Sequence, residues 1–172
     1  MLQRVAELDA EIAAMDVRVW AEVQRRPAAR RLKTHPGVGL QTALATVLTL
    51  GEVSRFGSAR KVSAYLGLVP TKYSSGGKQR LGHISKPGSS LMRFLLVEAG
   101  QSAVQRDEEL KRAYKRLRVR QGNRAVAKVT VARRLAVKLY WMLRHEVDVC
   151  GAGSTCGQAR VILGQAVTGP HA

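Results

Sequence analysis

The chain has 172 residues, 45% of them hydrophobic, which is enough for one packed domain with appendages. Lys and Arg total 29 against 12 acids, a formal charge of +17, and such a chain repels itself unless a polyanion neutralises it. Aromatic residues make up only 5%, too few for a basic helix bedded in a lipid surface, and no stretch is apolar for long enough to span a bilayer. The opening MLQRVAELDAEIAAMD carries acids where a signal peptide would be basic, so the expectation is a soluble, cytoplasmic protein that binds nucleic acid.

Residues 2–26 predict a helix. Val5, Leu8, Ile12, Met15, Val19 and Val23 recur at steps of three and four, with charges on the other face, and Pro27 ends the pattern. The stripe is narrow and no second helix is expected directly after it. Pairing with another copy as a coiled coil and packing on its own domain both stay open.

HPGVGLQTALATVLTLG follows, with a tight turn at residues 36–39 and a helical run over 40–50. A glycine turn between two helices is similar to a helix-hairpin-helix element. There the backbone N–H groups around Gly37 and Gly39 would meet phosphates without reading sequence. Glycines also make such turns for geometry alone.

SRFGSARKVSAYLGLVP predicts a short helix over 58–66, capped by Ser58, stopped by Gly67 and Pro70, and buried through Val62, Tyr65 and Leu66. Residues 73–93, YSSGGKQRLGHISKPGSSLMR, are expected to be extended or looped because Gly76, Gly77, Gly82, Pro87 and Gly88 interrupt any regular element. A helix resumes at Ser89, apolar almost all round and therefore central, and RDEELKRAYKRLRVRQG continues it with Leu110, Tyr114 and Leu117 inward until Gly122. The run NRAVAKVTVARRLAVKLYWMLRHEV is amphipathic. Ala125, Val129, Ala132, Leu135 or Ala136, Leu139, Tyr140 and Leu143 form one face, with Arg124, Lys128, Arg134 and Lys138 toward the other.

The glycine-rich stretch after residue 148 reads as a poorly ordered tail. Its Cys150 and Cys156 are too far apart for a CxxC pair and, with only His145 nearby, read as free thiols. The expected fold is all-α: a coiled-coil-like helix and linker over 1–33, a helical domain over 34–148 with one irregular basic Ser/Gly loop, and the tail over 149–172.

That loop holds the candidate chemistry. A serine hydroxyl attacks a phosphodiester only when charge developing on the phosphate oxygens meets converging cations and donors. Ser74 and Ser75 beside Gly76 and Gly77, then Lys78, Arg80, His83, Lys86 and Arg93, supply those residue types. Solvated loop serines and lysines remain the plainer reading of the same residues. No acid lies between Glu52 and Glu98, and no carboxylate group elsewhere forms a metal constellation.

Three blocks in order, HPGVGLQTA, then RFGSARKVSAYLGLVPTKYSSGGKQRLGHISKPGSSLMRFLLVEA, then AVAKVTVARRLAVKLYWML, resemble the C-terminal half of the IS110 family of insertion-sequence transposases, the group that includes IS116 and IS902. The resemblance implies DNA transposition by a recombinase in which a RuvC-like domain binds magnesium through four carboxylates and a C-terminal domain brings a serine nucleophile. That serine falls on Ser75, with Ser74 its alternate, and Lys78, Arg80, Lys86 and Arg93 fall at the family's basic positions. Partners implied are DNA, a bridge RNA and further copies of the chain through the N-terminal helix. No RuvC-like segment is recognised in this sequence, so a truncated copy is expected, with no cofactor of its own. The alternative function is a non-catalytic nucleic-acid-binding module, or a dominant-negative partner of full-length transposase.

Overall fold

The first helix ends just before Pro27, as expected, but Pro27 also starts a second one. In the computed structural model, which describes residues 2–75, 78–85 and 87–149 (backbone alone at 2, 72–75, 78–83 and 121), α1 spans Leu2–Arg25 and α2 follows at once over Pro27–Lys33. Arg26 is extended, and Pro27 takes the first helical position, where its missing N–H costs nothing and its φ is already helical. A second helix therefore directly follows the first, contrary to the sequence expectation. The chain then turns and enters α3, Leu40–Leu50. After a single 3-10 turn at Val53–Arg55 comes α4, Ala59–Tyr65, whose first turn is capped as expected by Ser58 accepting from the Lys61 amide.

The segment expected to be extended or looped is extended, but it is regularly paired where an irregular loop had been expected. β1, Pro70–Ser75, and β2, Lys78–Ile84, form a two-stranded antiparallel ribbon with a register shift between Pro70 and Lys72. The glycines that argued against regular structure at 76 and 77 lie between the strands, outside the described residues. The rest is helical, as the all-α reading requires: α5, Ser90–Arg106, α6, Glu108–Gln121, and α7, Arg124–His145. Asp107 separates α5 from α6, where one continuous helix had been expected. It is extended, and its carboxylate accepts from the Glu109 and Leu110 amides, so it starts a new helix.

The hub is α7. Helices α2, α4, α5 and α6 all pack on it, and Val131, Leu135, Leu139 and Met142 recur along its buried stripe. Its closest neighbour is α5, where a Cβ at Gly100 would meet Ala132 Cα at 3.4 Å. Helix α5 is less central than its sequence suggests. Met92, Leu96, Ala99 and Ala103 are buried, but Leu91 and Phe94 stand in solvent. Two further assignments change: Tyr65 is exposed, and Ala125 precedes the buried part of α7.

The stripe on α1 is split. Val23 is fully buried and Val19 partly so, but Val5, Leu8, Ile12 and Met15 lie open, with Ile12 57% and Met15 62% exposed. Trp20 is exposed at the edge of this stripe, and Val17 is exposed on the opposite side of the helix. The helix docks on α3 only through its C-terminal part, where Gln41 donates to Asp16.

Candidate nucleic-acid interface and catalytic ribbon

The ribbon is clamped at its base. The Ser85 amide donates to the Val69 carbonyl at 2.9 Å, and Leu68 is buried where β1 leaves α4. On the other side, Gly88 has φ +76, and a Cβ there would come within 2.6 Å of the Tyr65 carbonyl oxygen. That approach is open to glycine alone. Arg93 of α5 donates to the carbonyls of Pro87, at 2.7 Å, and Gly88, at 3.3 Å. Its guanidinium thus braces the loop that returns from the ribbon. Ser89 caps α5 by accepting from the Met92 amide.

Backbone pairing sets which residues share a face. Ser75 pairs with Lys78 and Tyr73 with Arg80, while Ser74 pairs with Gln79 and Lys72 with Leu81. Directly paired residues of an antiparallel ribbon lie on one face, and faces alternate along each strand. Ser75, Lys78, Tyr73 and Arg80 therefore belong to one face, and Ser74, Gln79, Lys72 and Leu81 to the other. His83 lies in β2 within the register shift, and Lys86 lies outside the described residues.

The HPGVG turn is a second candidate contact, and its two glycines differ. The Val38 amide donates to the His35 carbonyl at 3.1 Å across Pro36 and Gly37, and Gly37 has φ +90. This is the residue order of a type II turn. A Cβ on Gly37 would fall 2.6 Å from Ala103 Cα, so the turn is pressed against α5. Gly39 is the N-cap of α3, lacks any side-chain cap, and has open space where a Cβ would be. Gly39 is the more exposed of the two.

Beneath the turn lies a polar cluster that sequence reasoning missed. Lys138, expected on the outer face of α7, is 4% exposed, with its ammonium 2.8 Å from both Asp107 Oδ2 and Glu109 Oε2. His35 is buried beside them. Its Nδ1 donates to the Pro36 carbonyl at 2.9 Å, and its Nε2 is 3.8 Å from Asp107 Oδ2. Burial, then the Lys138 charge, lowers the His35 pKa to about 4, so the ring is neutral near pH 7. Burial alone would raise the Asp107 pKa, but its hydrogen bond and ion pair with Lys138 outweigh that and leave it lowered. The signal was present: Lys138 follows Val131 and Leu135 at seven and three residues and precedes Met142 by four, so it lies on the buried stripe.

Several other described carboxylates are paired with cations. Glu22 pairs with Arg25 and Arg26, Glu108 with Lys111, and Glu146 and Asp148 with Arg31. Among the described residues, no three His, Cys, Asp or Glu side chains converge as metal donors. The residues do not fit a catalytic magnesium. Among them also, no helix is long and apolar enough to cross a membrane. The tail from Cys150, with Cys156, lies outside the described residues.

Comparison with known proteins places this architecture. A profile of the Transposase IS116/IS110/IS902 family matches residues 29–115, from α2 into α6. The "Probable family 20 transposase" of Pseudomonas aeruginosa is 37% identical over 97 residues, covering 56% of this chain and 29% of that protein. The "Transposase for insertion sequence element IS1111A" of Coxiella burnetii is 35% identical over 129 residues, covering 72% and 35% respectively. The "Transposase for insertion sequence element IS1328" of Yersinia enterocolitica is 44% identical over 80 residues, covering 46% and 24%. The aligned part amounts to about a third or less of each relative's length.

Proposed function

The chain belongs to the IS116/IS110/IS902 transposase family, and from that premise we propose that it is the DNA-binding, serine-bearing portion of a transposase in which Ser75 attacks a DNA phosphodiester. The observation that carries this reading is the ribbon register. It groups Ser75 with Lys78 and Arg80 on one face, whereas the face of Ser74 carries Gln79, Leu81 and Lys72. The register therefore favours Ser75 over its neighbour.

In the proposed step the Ser75 oxygen bonds to phosphorus as the bond to one sugar oxygen breaks. The hydroxyl proton leaves to a base, and the departing sugar oxygen takes up a proton. Lys78 and Arg80 neutralise the charge that grows on the non-bridging oxygens. His83 and Lys86 are further candidate phosphate contacts from the sequence, and Arg93 acts by holding Pro87 and Gly88, where the chain returns from the ribbon. Gly39 and the first turn of α3 offer a second backbone contact to phosphate. The magnesium that the family implies would be held by carboxylates of a RuvC-like domain and not by those described in this chain. The exposed stripe of α1 joins copies of the chain, and a bridge RNA is a further polyanion for its basic surface.

The test is covalent trapping. The chain, mixed with a RuvC-like domain of a family member and a nicked suicide DNA, is expected to become attached to the DNA, and Ser75→Ala to abolish attachment while retaining binding. Attachment that persists in Ser75→Ala and disappears in Ser74→Ala would move the nucleophile by one residue. Tight DNA binding with no attachment by the unaltered chain would favour the non-catalytic binding module.

A further inference from the structure

Ala103, Leu110 and Val131 form a small core of their own between α5, α6 and α7, and it leaves a cavity open on its surface. The cavity holds about 200 Å³ and is bounded by the C-terminal half of α5, the middle of α6 and the start of α7. Val131 and the half-buried Val104 give it an apolar floor, and Tyr114 supplies its one aromatic wall. Gly100, Gln101, Gln105 and Lys128 complete the lining, with no carboxylate among them. Gln101 donates through Nε2 to Glu98 at 3.0 Å, which leaves its amide oxygen without a partner among the described residues. Among those residues the Gln105 amide, the Tyr114 hydroxyl and the Lys128 ammonium make no hydrogen bond or ion pair either. The cavity is separate from the ribbon, since α5 rises roughly 16 Å between Arg93 and Val104.

The floor and the ring favour a flat group with an apolar face. Each carboxamide offers a donor and an acceptor to the polar edge of such a group. An ammonium beside them selects an anion. The volume is smaller than that of an ordinary cofactor pocket, so it suits one heterocycle and not a dinucleotide. A nucleobase with its phosphate combines a π-face, a polar edge and a negative charge. An acyl chain would leave both carboxamides unpaired, and a metal ion would find no carboxylate, histidine or cysteine in the lining. Cations continue from the rim. Arg118 is one turn beyond Tyr114 on α6, and Arg124 is one turn before Lys128 on α7. Both are exposed on the cavity side of their helices, where the phosphates flanking a bound nucleotide would pass.

We infer that this cavity binds one unpaired nucleotide, its base against Tyr114 and the amides of Gln101 and Gln105, its phosphate at Lys128. The inference deepens the reading of the chain as the nucleic-acid-binding portion of a transposase, and rests on it. A base inside a duplex is stacked and cannot enter, so the cavity selects unpaired positions. An unpaired position in a strand and a free mononucleotide offer the same chemistry, and the arms of the experiment separate them.

The experiment titrates the full chain with a DNA duplex, the same duplex carrying one bulged 5-iodouracil, and free 5-iododeoxyuridine monophosphate. The bulged duplex is expected to bind about tenfold more tightly than the perfect one. Irradiation should cross-link its iodouracil to Tyr114, located by mass spectrometry of the peptides. Tyr114→Leu keeps apolar volume and loses the ring, and Gln105→Leu changes an exposed position that folding does not need. Each should remove most of the gain and leave binding of the perfect duplex unchanged, whereas Tyr114→Phe should retain the gain. Lys128→Met should lower the log–log salt slope by about one on the bulged duplex. If Tyr114→Leu does not fold, Gln105→Leu and the cross-link decide the matter. A mononucleotide that binds as tightly as the bulged duplex supports the cavity and assigns it to free nucleotides; a gain for the bulge alone assigns it to a strand. No gain for the bulge and no mononucleotide binding, a gain that Gln105→Leu and a folded Tyr114→Leu both retain, or a cross-link confined to residues outside the cavity, overturns the inference. If the unaltered chain binds neither duplex, the proposed function itself falls, which is a different result from duplex binding without a gain.

Discussion

Lys138 Nζ lies 2.8 Å from Asp107 Oδ2, although 31 residues and two helix boundaries separate them. Asp107 uses its other oxygen, Oδ1, to cap α6 through the Glu109 and Leu110 amides. One carboxylate thus starts a helix and neutralises a buried ammonium. Removing either partner strands the other. Lys138→Ala is expected to destabilise the fold by about 3 kcal/mol. Asp107→Ala should cost about 1 kcal/mol more than Asp107→Asn, which keeps the cap and loses the charge. Urea unfolding curves measure all three, and equal losses for Asp107→Ala and Asp107→Asn would contradict the dual role.

His35 makes the same cluster sensitive to acid. Its folded pKa of about 4 is below the ordinary value of 6.5, so the unfolded chain binds the proton more readily. Stability contributed by the neutral ring is therefore complete above about pH 6.5 and declines as pH falls toward 4. The loss is of order 3 kcal/mol across that window, moderated by the nearby Asp107 carboxylate. His35→Gln should remove most of this slope between pH 4 and 6.5, leaving the acid-side loss from Asp107, whose lowered pKa places its own loss at still lower pH. Stability measured against pH in both proteins decides it, and parallel curves would show that His35 does not titrate as described.

The two glycines of the HPGVG turn separate structure from function. Gly37→Ala places a methyl group against the α5 backbone at a positive φ, and should cost about 2 to 4 kcal/mol. Gly39→Ala has room and an ordinary φ of −85, and should change stability by no more than about 0.5 kcal/mol. Any loss of DNA affinity in Gly39→Ala then reports on backbone contact and not on folding. Thermal melting paired with a DNA titration separates these outcomes; a strongly destabilised Gly39→Ala would remove Gly39 as an informative probe of the interface.

The N-terminal helix predicts self-association. Leu8, Ile12 and Met15 touch little of their own domain, and each gains about 1.5–3 kcal/mol when fully buried. Ile12→Asp should weaken association at least tenfold while leaving the melting of the isolated copy unchanged. Sedimentation at several concentrations measures this. A monomeric unaltered chain at high concentration would leave the stripe without its proposed role.

Most helix positions, the cap at Ser58 and the all-α class were legible in the sequence because each depends on neighbours within a turn or two. Periodicity, N-cap chemistry and glycine stops act over that range. The candidate serines and cations were legible for the same reason, since they crowd into one short segment. Their division between two faces was not. It depends on cross-strand register, which a shift near Pro70 alters and local spacing does not encode. The sequence also hid the partners of Lys138 and His35, because cations on a helix ordinarily lie in water and only long-range packing brings Asp107 to them. Tertiary structure alone decided that Gly37 is pressed against α5 and that Asp107, at the end of α5, meets Lys138 of α7. Both facts are set by how neighbouring helices close on α5 and α7, which no local pattern specifies.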